Sequence, residues 1–405
     1  MDTEDLLAFD AARARLLADV RRTGPERVPV ADAAGRVLSE DLVAHDPLPR
    51  FDHSAMDGYA VATGDLEGDG PFALDLAGES IAGREAPWLA RGAACRIFTG
   101  AAVPERADAV LMQEHVTREG GVVRFATRPK AGQHVRRAGE DLARDAVAIP
   151  ARTRLTAGGL ALAAMLGRSE VAVSRRPVVT IVCTGDELRS PGDPPRPASI
   201  PESNSAPLAA LARQAGAVVR VAPITRDDPR ATLRAIEQAL DGTDVLLTVG
   251  GVSVGDHDVV RPALEKAGVT LDFWRVAIKP GKPIVFGRSA RASVLGLPGN
   301  PASAIVTFTL FGMPLLRAMQ GDARPIPLPL RPRLSASRKR SPDRLELCRA
   351  MLQLDNGTLT ARVHDNQASG SATSLASSDG LAFLPAGEGA LEAGAFVDFL
   401  RWSDA

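Results

Sequence analysis

Strand-like and helix-like segments alternate between about residues 176 and 320, and this alternation constrains the fold more than any other feature. The apolar, strand-like runs are 178–183, 217–224, 245–249 and 294–297, and the helix-like runs are 205–215, 229–240, 259–267 and 301–319. Such alternation is typical of βαβ crossovers, which form a mainly parallel sheet with helices on both faces. Ligands bind outside the carboxyl ends of the strands in these sheets, so the residues after each strand are the first candidates for a site.

The flanking regions have a different pattern. From about 46 to 150, glycine and proline interrupt short apolar runs, which predicts a compact, mostly β domain. After a proline-rich connector that begins at Pro325, turn signals at Asn356-Gly357 and Asp379-Gly380 predict a small β-barrel. Thr3 is placed to cap an N-terminal helix that ends near residue 23.

Length and charge limit the class of protein. A chain of 405 residues exceeds what one hydrophobic core fills, so several domains are expected. The 48 basic and 49 acidic residues give no general attraction to nucleic acid or to an anionic membrane. The acidic N-terminus does not resemble a secretory signal, and no window is expected to approach a membrane span. We therefore expect a cytoplasmic protein with neither a membrane nor a nucleic-acid partner.

Acidic residues stand beside glycines in the turns after two predicted strands. These turns are Thr184-Gly185-Asp186-Glu187-Leu188 and Gly250-Gly251-Val252-Ser253-Val254-Gly255-Asp256-His257-Asp258. Glycines let the backbone approach an anion, whereas carboxylates repel phosphate unless a divalent cation lies between them. A Mg²⁺ site that holds phosphate is therefore one interpretation of Asp186, Glu187, Asp256 and Asp258. Helix capping accounts equally well for any one of them.

Lysine is scarce in this chain and is concentrated in one turn. Of 48 basic residues only five are lysines, and Lys279 and Lys282 share the segment Ile-Lys-Pro-Gly-Lys-Pro. Two ammonium groups on a proline-stiffened turn predict a compact cationic pocket for a tetrahedral oxyanion.

Two further turns have both structural and functional interpretations. In Leu297-Pro298-Gly299-Asn300-Pro301, Asn300 is a predicted helix N-cap and Pro301 the first helical residue, a geometry that also suits an anion. The single tyrosine, Tyr59, follows Asp57-Gly58. That segment fits a turn that presents Asp57 to a polar ligand between Tyr59 and Phe51, or an ordinary hairpin.

Seven motifs, taken together, resemble the molybdopterin molybdenumtransferase (MoeA) family, a relative of which is the E domain of gephyrin. They occur between about residues 50 and 301 in the order F-D-H-S-A-M-D-G-Y-A, R-I-F-T-G-A, G-E-D, T-G-D-E-L, G-G-V-S-V-G-D-H-D, I-K-P-G-K-P and L-P-G-N-P. Two departures are small: His53 stands where asparagine is common, and Ser377-Ser378-Asp379-Gly380 where Ala-Asn/Asp-Gly is usual.

The resemblance implies a multidomain α/β plus β fold with four domains. They are an N-terminal helix and elongated dimerisation domain (1–45 with 147–175), a β-rich inserted domain (46–146), a MogA-like three-layer α/β/α molybdopterin-binding domain (176–324) and a C-terminal β-barrel (325–405). It also implies a homodimer, with the site where the β-rich domain of one subunit faces the α/β domain of the other.

The implied reaction is transfer of molybdenum from molybdate to adenylylated molybdopterin, with release of AMP and assistance by Mg²⁺. By motif position, the resemblance assigns catalytic roles to Asp57, Thr99, Asp141, Glu187, Asp258, Lys279 and Lys282. It assigns ligand binding to Ser253, Pro298, Pro301 and, more loosely, Arg349, and the glycine and N-cap turns described above add Gly250, Gly251, Gly255 and Asn300. Metal binding falls to Asp186, Glu187, Asp256 and Asp258, without specifying which carboxylate holds the ion. Transient contacts with an adenylyltransferase and with molybdoenzyme acceptors are also implied.

Two alternative functions are consistent with parts of the sequence. The T-G-D-E-L and G-G-V-S-V-G-D-H-D motifs also resemble the MogA-type adenylyltransferase, although the other three domains argue against it. A scaffold that binds peptides, like the gephyrin E domain, is the second alternative. The complete set of acids and lysines argues against a scaffold role alone.

Overall fold

The computed structural model describes residues 6–251 and 259–404. Its first elements are α1 (Phe9–Leu17), β1 (Pro25–Pro29), a 3-10 turn (Val30–Asp32) and β2 (Leu42–Val43). The N-terminal helix is shorter than predicted, because the backbone becomes extended at Ala18 and Asp19 adopts a φ of 51°. Thr3, its predicted cap, lies outside the described residues. Ala12 and Leu16 are fully buried against the α/β domain, which fixes the helix there.

A six-stranded sheet forms the core of the β-rich region. Its elements are β3 (His53–Ser54), β4 (Gly58–Val61), a 3-10 turn (Thr63–Asp65), β5 (Phe72–Ser80), β6 (Ala93–Ile97), β7 (Ala109–Met112), a 3-10 turn (Gln113–His115), β8 (Thr117–Glu119), β9 (Val122–Phe125) and β10 (Val135–Arg136). The strand order is β7-β4-β6-β5-β9-β8, and β3 pairs with β10 outside it. Alternate residues of β4 enter two cores, Tyr59 and Val61 on one face and Ala60 on the other. The prediction of a mostly β region is confirmed.

The chain returns from the β-rich region beside the point where it entered. The next elements are β11 (Val147–Ile149), α2 (Ala157–Met165) and β12 (Glu170–Ser174). Strand β11 pairs with β2, and β12 pairs antiparallel with β1 along its whole length. Thr156 caps α2 by accepting a hydrogen bond from the N–H of Gly159, as its position in the sequence predicts. The chain therefore enters and leaves the inserted region at the same place, a small scaffold formed by the segments before and after that region.

A mixed sheet with helices on both faces forms the α/β domain. Its elements are β13 (Val178–Cys183), β14 (Leu188–Arg189), β15 (Ile200–Pro201), α3 (Ser205–Gln214), β16 (Val218–Val221), α4 (Pro229–Leu240), β17 (Val245–Val249), α5 (Val260–Lys266), β18 (Thr270–Arg275), β19 (Ile278–Lys279), β20 (Pro283–Arg288), β21 (Ser293–Leu297), α6 (Pro301–Thr307) and α7 (Met313–Met319). The order is β16-β13-β17-β21-β20-β18, and the first four strands are parallel. The sequence analysis did not predict β18 and β20.

Alternation along the central strands divides the apolar residues between the two faces. In β17, Val245, Leu247 and Val249 pack with α3, α6 and α7, whereas Leu246 packs with α4 and α5. Asp228 caps α4 by accepting a hydrogen bond from the N–H of Ala231. The three-layer arrangement expected from the alternation is confirmed.

A long apolar helix runs through this core. Helices α6 and α7 are joined by a π-helical turn (Phe308–Gly312) that precedes Pro314, a residue without an N–H to donate. The combined helix, Pro301–Met319, is long and apolar enough by composition to cross a membrane, so the expectation of no such window is wrong. However, 83% of its apolar window is buried inside the protein, which identifies it as a core helix.

The C-terminal strands close into a barrel. They are β22 (Arg333–Leu334), β23 (Arg338–Lys339), β24 (Leu345–Asp355), β25 (Thr358–Val363), β26 (Gly380–Leu384), β27 (Ala390–Leu391) and β28 (Asp398–Arg401), with α8 (Ala372–Ala376) before β26. The order is β22-β25-β24-β26-β28, and a bridge between Leu330 and Phe399 closes the two edges. The predicted Asn356-Gly357 hairpin is present, with positive φ at both residues. Asp379-Gly380 does not form a hairpin, because Gly380 is the first residue of β26. Glycine is needed there for space, since a Cβ would lie 2.1 Å from the oxygen of Leu400.

Candidate functional site

Three parallel strands end at the same level, and this places the predicted turns side by side. Cys183, Val249 and Leu297 are register partners across β13, β17 and β21. The turns that follow them form a cavity of about 460 Å³ at the carboxyl edge of the sheet. Its lining includes the predicted site residues Glu187, Gly250, Gly251, Pro298, Asn300 and Pro301. The expectation that a site lies at this edge therefore matches the geometry.

Glycine is required in these turns because of close backbone packing. Gly250 has a φ of 91°, and a Cβ there would lie 2.7 Å from the carbonyl oxygen of Thr184. A Cβ on Gly251 would lie 2.4 Å from Cγ2 of Val260. A Cβ on Gly299 would lie 3.6 Å from Cα of Gly250, so two of the turns touch one another. The glycines thus hold the cavity wall together, whatever ligand the cavity accepts.

The core helix begins at the cavity. Asn300 occupies the N-cap position of α6 and Pro301 the first helical position, as predicted. The Asn300 side chain makes no capping hydrogen bond and is exposed. The N–H of Ala302 donates to the carbonyl oxygen of Ser369 at 3.1 Å, so the barrel contacts the first turn of this helix.

A buried carboxylate that the sequence analysis missed organises another side of the cavity. Glu202 is 7% exposed and accepts hydrogen bonds from the N–H groups of Asn204 (2.6 Å) and Ser205 (3.0 Å) and from the Ser205 hydroxyl. Burial alone would raise the pKa of Glu202, but the hydrogen bonds from Ser205 and Asn204 outweigh it and lower the pKa. Asn204 in turn donates from Nδ2 to the oxygen of Gly299 at 2.8 Å. Asparagine is scarce in the chain, and this scarcity is the sequence signal that could have drawn attention to Asn204 and to Glu202 beside it.

The cysteine beside Glu202 is protonated. Cys183 lines the cavity, and its Sγ lies 3.5 Å from Oε1 of Glu202. Burial, followed by the charge of Glu202, raises the pKa of this thiol. Cys183 is therefore a packing residue and not an activated nucleophile.

The two lysines of the Ile-Lys-Pro-Gly-Lys-Pro turn have different surroundings. Nζ of Lys279 lies 2.8 Å from Oε1 of Glu346, because β19 pairs with β24 of the barrel. Lys282 is exposed and precedes Pro283, which lines the cavity. The predicted cationic pocket of two ammonium groups stays a prediction, and in this conformation Glu346 forms an ion pair with one of them. A Cβ on Gly281 would lie 2.3 Å from Cγ2 of Thr307, so this turn packs closely against the core helix.

The acidic residues are only partly described. Asp186 and Glu187 are exposed, and Asp186 and Asp227 each accept a hydrogen bond from the other's backbone N–H at 3.3 Å. Glu187 and Asp227 line the cavity. Ser253, Gly255, Asp256 and Asp258 lie outside the described residues. Within 6–251 and 259–404, no group of three or more His, Cys, Asp or Glu side chains is placed to hold a metal ion.

A second group of predicted residues lies in the β-rich region. Asp57 Oδ1 accepts from both the N–H and the hydroxyl of Thr99, each at 2.8 Å. The backbone N–H of Thr99 is the main cause of the lowered pKa of Asp57, and the Thr99 hydroxyl is the next. Asp57 is exposed and therefore presents an ionised carboxylate to solvent. The pairing of Asp57 with Thr99 brings together two motifs that are 42 residues apart in sequence.

The surroundings of Gly58 and Tyr59, which follow Asp57, differ from the sequence interpretations. Gly58 starts β4 between two antiparallel neighbours, and a Cβ there would lie 1.8 Å from the oxygen of Leu111. Glycine is therefore needed for space, and the segment is not a two-residue hairpin. Tyr59 is 7% exposed and lies in the core, where the Arg96 guanidinium stacks on it at 5.1 Å. Tyr59 is therefore a core residue and not the wall of a ligand site that one interpretation made it.

Asp141 is exposed on the same region, and its N–H donates to the oxygen of Leu48 at 3.0 Å. None of the described side chains that line the 460 Å³ cavity comes from the β-rich region. Within one chain, neither the Asp57–Thr99 pair nor Asp141 lines the cavity.

Comparison with known proteins accounts for nearly the whole chain. Three family descriptions match: "MoeA N-terminal region (domain I and II)" over residues 7–167, "Probable molybdopterin binding domain" over 180–318 and "MoeA C-terminal region (domain IV)" over 331–402. Molybdopterin molybdenumtransferase 2 of Mycobacterium tuberculosis is 39% identical over 406 aligned positions, which cover 96% of this chain and 97% of the relative. The chain belongs to the MoeA family.

Other similar proteins agree with this assignment. The Haemophilus influenzae molybdopterin molybdenumtransferase is 39% identical over 78% of both chains. The crystal structure of a molybdopterin biosynthesis MoeA protein from Pyrococcus horikoshii has a TM-score of 0.83 at 28% identity, and covers 98% of this chain and 99% of its own. The resemblance drawn from the seven motifs is confirmed, and so is the fold it implies.

Arg349 has a different place from the one expected for a ligand-binding residue of a MoeA protein. Its side chain is fully buried, donates to the Ser374 hydroxyl at 2.8 Å and to the oxygens of Asn366 (3.2 Å) and Ala368 (3.0 Å). Burial lowers the pKa of this guanidinium. Arg349 does not line the 460 Å³ cavity in this conformation. Arg349 instead holds the barrel segment that precedes Ser369, which contacts the start of α6.

Proposed function

We propose that this MoeA-family protein is a molybdenum insertase. In this proposal it transfers molybdenum from molybdate to adenylylated molybdopterin and releases AMP. The observation that carries the proposal is the cavity at the carboxyl edge of the sheet, where the turns after β13, β17 and β21 meet. Close relatives are named molybdopterin molybdenumtransferases, which supports the reaction class.

The chemistry of the cavity suits a nucleotide-linked ligand. Gly250, Gly251 and Gly299 keep side chains off this part of the cavity wall. The first turn of α6 adds the positive end of a helix dipole. Lys282 is exposed, directly precedes the cavity residue Pro283 and is not part of the ion pair that engages Lys279. As a compact point charge, its ammonium group is suited to molybdate or phosphate oxygens.

The described residues are compatible with Mg²⁺ but do not enclose it. Mg²⁺ is commonly bound by one or two carboxylates together with substrate phosphates and waters. Glu187 and Asp227 supply two carboxylates at the cavity, with Asp186 beside them. When bound there, the ion would neutralise charge between these acids and a pyrophosphate link. Asp256 and Asp258 remain predicted ligands.

The group around Asp57 requires a dimer in this proposal. Asp57, Thr99 and Asp141 are exposed and do not line the cavity of their own chain. We propose that the β-rich region of a second copy places them over the cavity. Cytoplasmic localisation and transient contacts with an adenylyltransferase and molybdoenzyme acceptors are further parts of the proposal.

A direct assay tests the function. Purified protein, adenylylated molybdopterin and Mg²⁺ are incubated with and without molybdate, and AMP is measured. Molybdate-dependent AMP release is the expected result, and we expect Lys282→Ala to reduce it about tenfold or more. Lys339→Ala, an exposed lysine on the barrel, is the matched control and should retain full activity.

Other outcomes would overturn the proposal. Binding without AMP release, together with peptide capture, would favour a scaffold. Formation of adenylylated molybdopterin from ATP with pyrophosphate release would favour the adenylyltransferase.

A further inference from the structure

Two buried polar atoms at the cavity lack a hydrogen-bond partner among the protein atoms. Thr184 is 4% exposed and Asn204 is 6% exposed, and both line the cavity. Oγ1 of Thr184 and Oδ1 of Asn204 are buried without a partner. A buried polar group that is left unpaired costs free energy, so such groups call for an explanation.

The position of each atom is fixed by its neighbours. The backbone N–H of Asn204 is held by Glu202 and its Nδ2 by Gly299, which leaves Oδ1 as the free end of the amide. Thr184 follows β13, and its N–H donates to Val249. Its Oγ1 lies 3.3 Å from where a Cβ on either Gly250 or Gly251 would be. Neither glycine has a side chain that could pair with this hydroxyl.

We propose that Thr184 and Asn204 bind the ligand on the cavity floor. In this arrangement, Oδ1 of Asn204 accepts a hydrogen bond from an N–H or O–H of the organic ligand, and the Thr184 hydroxyl donates to or accepts from it. Pterin and adenine rings both carry N–H donors, so the two halves of the proposed substrate share this chemistry. The identity of the ligand rests on the proposed function, whereas the polar floor rests on the geometry of these two residues.

The proposal predicts opposite effects on stability and on binding. Thr184→Val keeps the shape of the side chain and removes an unpaired hydroxyl. We expect the ligand-free variant to melt at a temperature equal to or roughly 2–4 °C above that of the wild type. We expect its affinity for the ligand to fall about tenfold, because the same hydroxyl is paired in the complex. A purely structural hydroxyl would not reduce affinity.

Thr248→Val is the matched control. Thr248 is 1% exposed, lies one residue before the end of β17 and also has an unpaired buried Oγ1, but it does not line the cavity. This variant should show the same melting behaviour as Thr184→Val and unchanged affinity. Asn204→Asp keeps an acceptor at the floor but loses the Nδ2 donor to Gly299. Asn204→Ala loses both, and we expect it to bind about tenfold or more weakly.

The experiment uses the full chain and two probes, molybdopterin and AMP, with Kd measured by titration calorimetry. Weakened binding of at least one probe by Thr184→Val and Asn204→Ala, with Thr248→Val unaffected, is the expected result. Wild-type affinity in both floor variants would overturn the inference, as would a wild-type protein that binds neither probe. Weakened binding in a protein without molybdate-dependent AMP release would retain the inference and overturn the proposed function instead.

Discussion

At the scale of single residues, Thr99 keeps Asp57 ionised through two donors. Thr99→Val removes the hydroxyl but leaves the N–H, which is the larger cause of the lowered pKa. We expect the pKa of Asp57 to rise part of the way toward its ordinary value of 3.8, as followed by NMR titration of its carboxyl carbon.

The direction of the pH effect follows from the lowered pKa of Asp57. A carboxylate with a lowered pKa contributes above its unfolded-state pKa, and the contribution is lost as the pH falls through the folded-state value. Any activity that needs ionised Asp57 should therefore fail at a higher pH in Thr99→Val than in the wild type. Thr117→Val, an exposed threonine in β8, serves as the control. An unshifted Asp57 titration in Thr99→Val would contradict this account.

Glu202 allows a stability prediction at the same scale. Glu202→Gln replaces an ionised acceptor of three hydrogen bonds, so we expect a loss of about 2 kcal/mol in the free energy of unfolding at pH 7. Because the pKa of Glu202 is lowered in the fold, this advantage of the wild type should fade below about pH 4. Urea denaturation at several pH values measures it, with Glu237→Gln on the exposed face of α4 as the control. A difference that persists at low pH would be incompatible with an ionised Glu202.

At the scale of elements, the Lys279–Lys282 turn depends on one glycine. Gly281 has a φ of 103°, and its missing Cβ leaves space for Thr307 of α6. Gly281→Ala should therefore cost the backbone penalty of about 1–2 kcal/mol and a steric penalty of about 1–3 kcal/mol. Urea denaturation and the AMP assay are the measurements.

Gly268→Ala separates the two penalties. Gly268 also has a positive φ, of 82°, but nothing lies within 4 Å of a Cβ there. It should incur only the backbone penalty. Adding Thr307→Ser to Gly281→Ala removes Cγ2 while keeping the hydroxyl that donates to Ser303, and should restore part of the stability. Equal destabilisation by Gly281→Ala and Gly268→Ala would show that the contact with Thr307 is unimportant.

Helices and strands that are specified by a local sequence pattern have bounds close to the predicted ones. Val178–Cys183, Pro229–Leu240 and Val245–Val249 have the predicted bounds, because each is a continuous apolar run or an amphipathic helix with a cap. The prediction failed where a distant contact decides the structure. Gly58 and Gly380 have turn-like neighbours in sequence, but each is glycine because a neighbouring strand leaves no space for a side chain.

The candidate site was predictable to a similar degree. The strand register that aligns Cys183, Val249 and Leu297 follows from a parallel sheet, so its turns could be expected to meet. The partner of Lys279 could not, because Glu346 approaches it only through pairing of β19 with β24 across 67 residues. Nor does any local pattern indicate that Glu202 is buried or that Arg349 is buried against Ser374 of α8.

At the scale of the whole molecule, the separation of the Asp57 group from the cavity gives a complementation test. In a doubly tagged mixed dimer, one subunit carries Asp57→Ala and the other Lys282→Ala. If each site combines Asp57 of one subunit with Lys282 of the other, one site is intact and the second carries both changes. We expect about half of the wild-type AMP release, whereas either variant alone should be nearly inactive. An inactive mixed dimer would place both residues in the same subunit's site.

The pairing of the entry and exit strands of the β-rich region also bears on whether the rest of the chain needs that region in order to fold. Val43 and Val147 are paired neighbours, and the N–H of Ala44 donates to Ala146. The roughly one hundred residues between them are therefore attached at what amounts to the tip of a hairpin. A short turn could replace them without breaking any pairing of β1 with β12. The rest of the chain should therefore fold without the β-rich region.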